Sequence, residues 1–274
     1  KYQLELPGAE AFAGLAECYA ITGDIESARD YYLNEALPRT LGRDFGQISP
    51  LGTAMVHRSL GDLERRIGNL DSAQVHYEES LRLYTNLKSA VGEAIVSHSL
   101  GELARARFKY DEARTHYLKA DSIFRDIGHE LGQGNTQQAL GDLDLSTKRP
   151  DSALEHYTQA LALAQATKNP LAEANALYGL GNVGFVRNDH ESATEHFNQA
   201  RVIYRRIGSK LGQANVLVGL GDIAIKRGDT TAVASNLTEA ATLFESMKMV
   251  AQARTARAKL DFSRRRSGGN LGTP

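Results

Sequence analysis

The pair Leu-Gly stands at residues 60–61 and returns at 100–101, 140–141, 180–181 and 220–221, each time 40 residues further on. Three other markers keep that interval. A small residue recurs at Ala73, Ala113, Ala153 and Ala193, with Val233 in the next copy. An aromatic follows four residues later at Tyr77, Tyr117, Tyr157 and Phe197, with Leu237 in the next copy. Ser80, Ala120, Ala160, Ala200 and Ala240 complete the set. A fixed period of this length marks a solenoid, whose units cannot bury their apolar faces alone and take their stability from their neighbours. An earlier copy aligns at an offset of 45, matching Leu15 to Leu60 and Tyr32 to Tyr77. About five extra residues then lie in "PRTLGRDFGQISP", between Pro38 and Pro50, and predict a looser connection there.

Each unit reads as two helices. The first carries Leu-Gly, as in "AIVSHSLGELARARF"; the second carries small–aromatic–small, as in "DEARTHYLKADSIFRDIG", with apolar residues three and four apart. First helices are expected near 8–22, 52–67, 90–107, 130–147, 170–187 and 210–227. Second helices are expected near 25–37, 70–87, 110–126, 150–167, 190–206 and 230–246, and an unpaired helix near 249–265 caps the stack. Gly23, Gly68 and Gly228 suit the left-handed residue after a helix end, and Asn188 can adopt it. Phe108 and Lys148 suit it poorly, which predicts different turns at those two places.

Composition removes several functions. The 32 basic and 33 acidic residues leave a net charge of −1, without the basic excess of a nucleic-acid binder. No run approaches the ~18 apolar residues of a membrane span. A single cysteine, Cys18, excludes an internal disulfide framework and a Cys-based zinc site. It fits a reducing compartment, so a cytoplasmic location is expected. The opening "KYQLELPG" has neither an initiator Met nor a signal pattern and reads as a segment of a larger parent.

The pattern Leu60-Gly61, Gly68, Ala73, Tyr77, Ser80 resembles the tetratricopeptide repeat, over residues 8–265. The usual repeat has about 34 residues. This one has 40, with longer helices and joints such as "IGHELGQGN" and "IGSKLGQAN". It is similar to the long-repeat arrays of the Pins/LGN polarity adaptors, the kinesin light chains and the repeat parts of NTPase receptors. The resemblance implies an all-α, right-handed α-solenoid of six helix hairpins plus the capping helix. It also implies one domain over 1–266, a disordered tail over 267–274, and a concave face lined by the first helices.

Catalytic chemistry is thin. His76, His116, His156 and His196 also recur every 40 residues, beside the packing aromatic. Equivalent positions in a solenoid stand at least ~8–10 Å apart. Zinc draws its ligand nitrogens to within ~2.0–2.1 Å, so the ladder cannot hold one ion. "GLGNVG" at 179–184 satisfies a G-x-G-x-x-G pattern but lies in a helix with no strand before it. There is no phosphate-binding Gly-Lys-Ser/Thr motif and no HExxH. The carboxylates read as exposed helix residues. No enzyme, catalytic residue, metal or cofactor is expected.

The register places candidate ligand-binding residues on the first helices. Two residues after each Leu comes an almost continuous acidic row, Glu17, Asp62, Glu102, Asp142, Asn182 and Asp222. One turn earlier lie Arg58, His98, Gln138, Tyr178 and Val218, and one turn before that Asn135, Asn175 and Asn215. On the other side lie Arg65, Arg105, Leu145, Phe185 and Ile225. Asparagine both donates and accepts, so the three asparagines suit an extended peptide backbone, the task of comparable residues in the long-repeat adaptors. The acidic row favours a ligand carrying Lys or Arg, while Arg58 and Arg105 suit its acids. The asparagine needed by a chaperone-tail clamp is acidic at five of six positions, which argues against that ligand. Two functions follow. One is a scaffold binding a protein or peptide segment in the groove. The other is a ligand-sensing or assembly domain of a larger signalling NTPase receptor, contacting the other domains of its parent chain.

Overall fold

A computed structural model describes residues 9–42 and 49–268. They are all-α in class, as the apolar residues three and four apart predict, and fall into two compact units, Lys1–Gly132 and Gln133–Pro274. In the first unit α1 (Ala9–Thr22) packs on α2 (Ile25–Asp30), which continues through a π-helical turn (Tyr31–Ala36) into α3 (Leu37–Thr40). Then come the hairpins α4 (Pro50–Arg66) with α5 (Leu70–Asn86) and α6 (Ala90–Ala106) with α7 (Tyr110–Asp126). Helix α8 (Glu130–Ser146) begins in this unit and continues into the second. There it pairs with α9 (Pro150–Ala166), to be followed by α10 (Pro170–Val186) with α11 (His190–Arg206) and α12 (Lys210–Arg227) with α13 (Thr230–Ser246). Helix α14 (Val250–Gly268) packs on α13 and reaches past the expected end at 265. Of the expected tail, residues 269–274 lie outside the described residues, as do 43–48 of the connection between Pro38 and Pro50.

The glycines of the first four Leu-Gly pairs each seat the aromatic of their own hairpin, and Gly221 seats Leu237. A Cβ at Gly101 would stand 2.5 Å from the Tyr117 ring, at Gly141 2.8 Å from Tyr157, and at Gly181 2.5 Å from Phe197. Those rings are almost wholly buried. A second ring–glycine contact joins successive hairpins and was not anticipated. Eight residues separate Tyr84 from Gly92, Phe124 from Gly132 and Tyr204 from Gly212, and each ring lies against its glycine. The same position pairs Ala164 with Ala172 and Phe244 with Gln252. The loop-like "GLGNVG" is helical throughout: Gly179 faces Tyr157, Gly181 faces Phe197 and Gly184 faces the Ala193 backbone.

Two local expectations are corrected. The second helix of the first hairpin does not stop at 37 but runs through Pro38 to Thr40. Proline lacks an N–H and crowds the carbonyl four residues back. The helix widens into the π turn before it, where the Leu37 N–H bonds Tyr32 O, and so avoids a break. The turns at Phe108 and Lys148 do not differ from the others either. Both residues are left-handed, with φ of 60° and 58°. The N–H groups of Lys109 and Arg149 bond Ala104 O and Asp144 O, as Asn69 bonds Glu64 O in the glycine turn. That closing bond recurs whichever residue supplies the positive φ.

Candidate partner-binding face

Within each unit successive first helices approach one another, with Cα atoms of α4 within 8 Å of α6 and those of α10 within 8 Å of α12. The candidate residues lie along these helices. The acidic row proves to be tied into the hairpins. Tyr77 Oη donates to Asp62 Oδ1 at 2.6 Å, Tyr117 Oη to Glu102 Oε1 at 2.5 Å and Tyr157 Oη to Asp142 Oδ1 at 2.6 Å. Tyr32 likewise donates to Glu17 at 3.0 Å. Each donor stands 15 residues after its acceptor. Where the aromatic becomes Phe197 and loses its hydroxyl, the acid becomes Asn182. Where it becomes Leu237, Asp222 instead accepts from Lys259 Nζ at 2.7 and 2.6 Å. The row is therefore first an internal device, a function the sequence reading missed although the 15-residue pairing was visible. Burial drives the hydroxyls of Tyr77, Tyr117 and Tyr157 well above the ordinary tyrosine range and that of Tyr32 to about 12, so all four stay protonated donors at neutral pH.

In the first unit the arginines join this network. Arg58 Nη1 bonds Asp62 at 2.8 Å and Arg105 Nη2 bonds Glu102 at 2.7 Å, while Arg65 Nη1 lies 3.9 Å from Glu102. Burial pushes the Glu102 carboxyl upward, but its bonds to Arg105 and Tyr117 outweigh that and hold it below its ordinary value. His98 tilts over the Tyr117 ring with centroids 5.4 Å apart. In the second unit Gln138 Nε2 reaches Asp142 at 3.4 Å. Tyr178 tilts on Phe197 at 5.6 Å, while Phe185 packs on the cluster around Phe197 and Tyr204. The asparagines divide. Asn175 Oδ1 accepts from Tyr204 Oη at 2.6 Å. Asn135 is exposed, Asn215 borders a cleft, and among the described residues neither side-chain amide has a partner.

The repeated histidines have separate partners. His76 Nδ1 lies 3.1 Å from His57 Nδ1, His156 Nδ1 2.7 Å from Gln137 Oε1, and His196 Nδ1 3.3 Å from Ser192 Oγ. His156 Nε2 also stands 3.4 Å from Asp144, a fully buried carboxylate that Arg149 Nε reaches at 3.1 Å. Glu64, buried at the equivalent position, is met by Arg29 Nε at 2.8 Å. The expectation that carboxylates stand exposed thus fails for Glu64, Asp144 and Asp121. The column shared by 64 and 144 otherwise holds Ala104, Gly184 and Ala224, a small-residue stripe that faces the interior. A charge there must be paired.

Burial lowers the proton affinity of His57, His76, His98 and His116 below the ordinary 6.5. The unfolded chain then binds more protons than the folded one below that value, so stability falls as pH drops through 6.5 toward the folded values. Thermal denaturation is expected to show a lower Tm at pH 5 than at pH 7, with a shallower slope in His98→Gln.

The family comparison agrees with the geometry. Tetratricopeptide repeat family models match residues 92–166 and 131–206. No curated protein matches the chain at a significant level. Among solved structures, BtubC (BKLC) from P. vanneervenii is 22% identical with a TM-score of 0.62, covering 73% of this chain and 81% of its own. A signal transduction ATPase with numerous domains from Pyrococcus horikoshii, bearing a tetratricopeptide repeat sensor, is 18% identical with a TM-score of 0.69. It covers 95% of this chain, which spans 39% of that one. A Rap protein complexed with competence and sporulation factor is 13% identical with a TM-score of 0.68, covering 96% and 77%. The hairpins of residues 92–206 match tetratricopeptide repeats, and with these structural neighbours they support a tetratricopeptide-repeat array whose 40-residue register continues into the flanking hairpins. No helix among the described residues is long and apolar enough to cross a membrane.

Proposed function

We propose that the chain is a non-enzymatic scaffold that receives a protein or peptide segment on the first-helix face of its repeats, the concave side in this class. The observation that carries this reading is a division of labour. The carboxylates of that face are spent on tyrosines, arginines and Lys259, while the amides of Asn135 and Asn215 are unengaged and suited to a peptide backbone. A preformed surface of this kind leaves only the ligand's ordering to be offset. The proposal takes residues 1–266 as one repeat array, because the period is unbroken from Leu60 to Leu220. It places the chain in the cytoplasm, where the exposed Cys18 remains reduced. The Rap protein solved with competence and sporulation factor is an instance of such a fold in complex with a second molecule.

The test is capture of a partner from source extract, with the bound segment mapped, by the unaltered chain and by Asn135→Ala with Asn215→Ala. The double variant is expected to lose most capture while melting unchanged. Asn175 is left intact because its loss would strand the Tyr204 hydroxyl. Equal capture by both chains contradicts the proposal. The fold shared with the P. horikoshii ATPase supports a second reading, a sensor domain of a larger switch protein. A nucleotide-binding motif elsewhere in the parent sequence decides for it.

A further inference from the structure

The second unit holds a cleft of about 380 Å³ whose lining comes from four helices: Tyr178 of α10, Asn215 and Val218 of α12, Phe244 of α13, and Gln252 and Thr255 of α14. It lies at the one joint where a ring meets a position that is not glycine. Tyr84, Phe124 and Tyr204 each lie against the glycine eight residues on. Phe244 is the next aromatic in that column, and eight residues on stands Gln252. Even a Cβ at Gly132 would come within 2.5 Å of the Phe124 ring. Gln252 takes the glycine's place and is exposed, Phe244 is covered instead by Ala253 and Ala256 of α14, and the cleft lies beside that joint.

The chemistry of the cleft is apolar and uncharged. Val218, Phe244 and Ala256 form apolar walls, while Asn215, Gln252, Thr255 and the Tyr178 hydroxyl supply neutral donors and acceptors. The one carboxylate of the α12 row, Asp222, has both oxygens bonded by Lys259 of α14. The volume lies at the lower end of the ~300–1,000 Å³ of ligand pockets, suited to one large side chain with its flanking backbone. We propose that this cleft is the anchor pocket for a bulky apolar side chain, phenylalanine or leucine, of an extended partner segment whose backbone is held by the Asn215 amide. Helix α14 is then a wall of the binding site as well as the cap of the stack. This rests on the scaffold reading and names the ligand chemistry that reading leaves open.

The test uses the full chain and defined probes, the N-acetyl N-methylamides of phenylalanine, lysine and glutamate, followed by protein NMR. The phenylalanine probe is expected to produce saturable shifts at Tyr178, Asn215, Val218 and Gln252, with roughly tenfold tighter binding than the charged probes. Val218→Arg, which brings a charge into the cleft, is expected to weaken that probe roughly tenfold with melting retained. Thr255→Arg, which brings a charge in from the α14 wall, is expected to weaken it independently, and serves should the first variant fail to fold. Equal shifts from lysine and phenylalanine, shifts scattered outside the cleft, or indifference to both substitutions overturn the proposal. A captured partner that binds the Val218→Arg chain undiminished also overturns it, and leaves the scaffold reading standing.

Discussion

Gly141→Leu is expected to destabilise the protein by about 3 kcal/mol in chemical denaturation, the upper part of the range for overpacking a filled core. Even a Cβ at 141 would lie 2.8 Å from Tyr157 Cε1. The ring has nowhere to retreat, because Gly179 of α10 faces it from the next first helix. Displacing the ring also breaks the Tyr157–Asp142 bond. The companion variant is Tyr157→Ala, which alone leaves a cavity. Combined with Gly141→Leu it supplies the room the leucine needs, so the double variant is expected to be less destabilised than the two costs added. Additive losses would show that ring and glycine do not act as a unit.

The second large effect concerns the tyrosine–carboxylate pairs. Tyr157→Phe deprives a half-buried carboxylate of its bond from the ring hydroxyl and is expected to cost about 1–2 kcal/mol. Adding Asp142→Asn rebuilds the pair the chain uses at Phe197 and Asn182, and is expected to recover most of that loss. Removing both partners of a buried bond costs little, whereas removing one strands the other. Denaturation midpoints of the three variants read the coupling directly. A double variant no more stable than Tyr157→Phe would mean that the covariation of Phe197 with Asn182 has another origin.

The hairpins were legible in sequence because a stacked repeat must place the same residue type at the same depth in every copy. Leu60-Gly61 through Leu220-Gly221 state the register outright. What sequence hid was interaction between columns. Glu17, Asp62, Glu102 and Asp142 read as groove surface although the tyrosine 15 positions later reaches each of them, and Asn182 reads as an exception until Phe197 explains it. The buried charges of Glu64 and Asp144 were hidden because a carboxylate reads as solvent-facing by default, and only its column of alanine and glycine places it inside. Phe108 was misjudged for the opposite reason. A turn's hydrogen bonds, here Lys109 to Ala104, can hold a residue that dislikes the left-handed region. The cleft beside α14 is lined from four helices, so only the three-dimensional joint reveals it.

The central claim is that recognition takes place on the first helices. Side-chain footprinting of the chain with and without its captured partner tests it most directly. Exposed second-helix residues Val75, Leu118 and Val202 serve as references. The account predicts that labelling of Tyr178, Phe185 and Val218 falls when the partner is bound while the three references are unchanged. Protection of Val75, Leu118 or Val202 with the first-helix residues still labelled would contradict it.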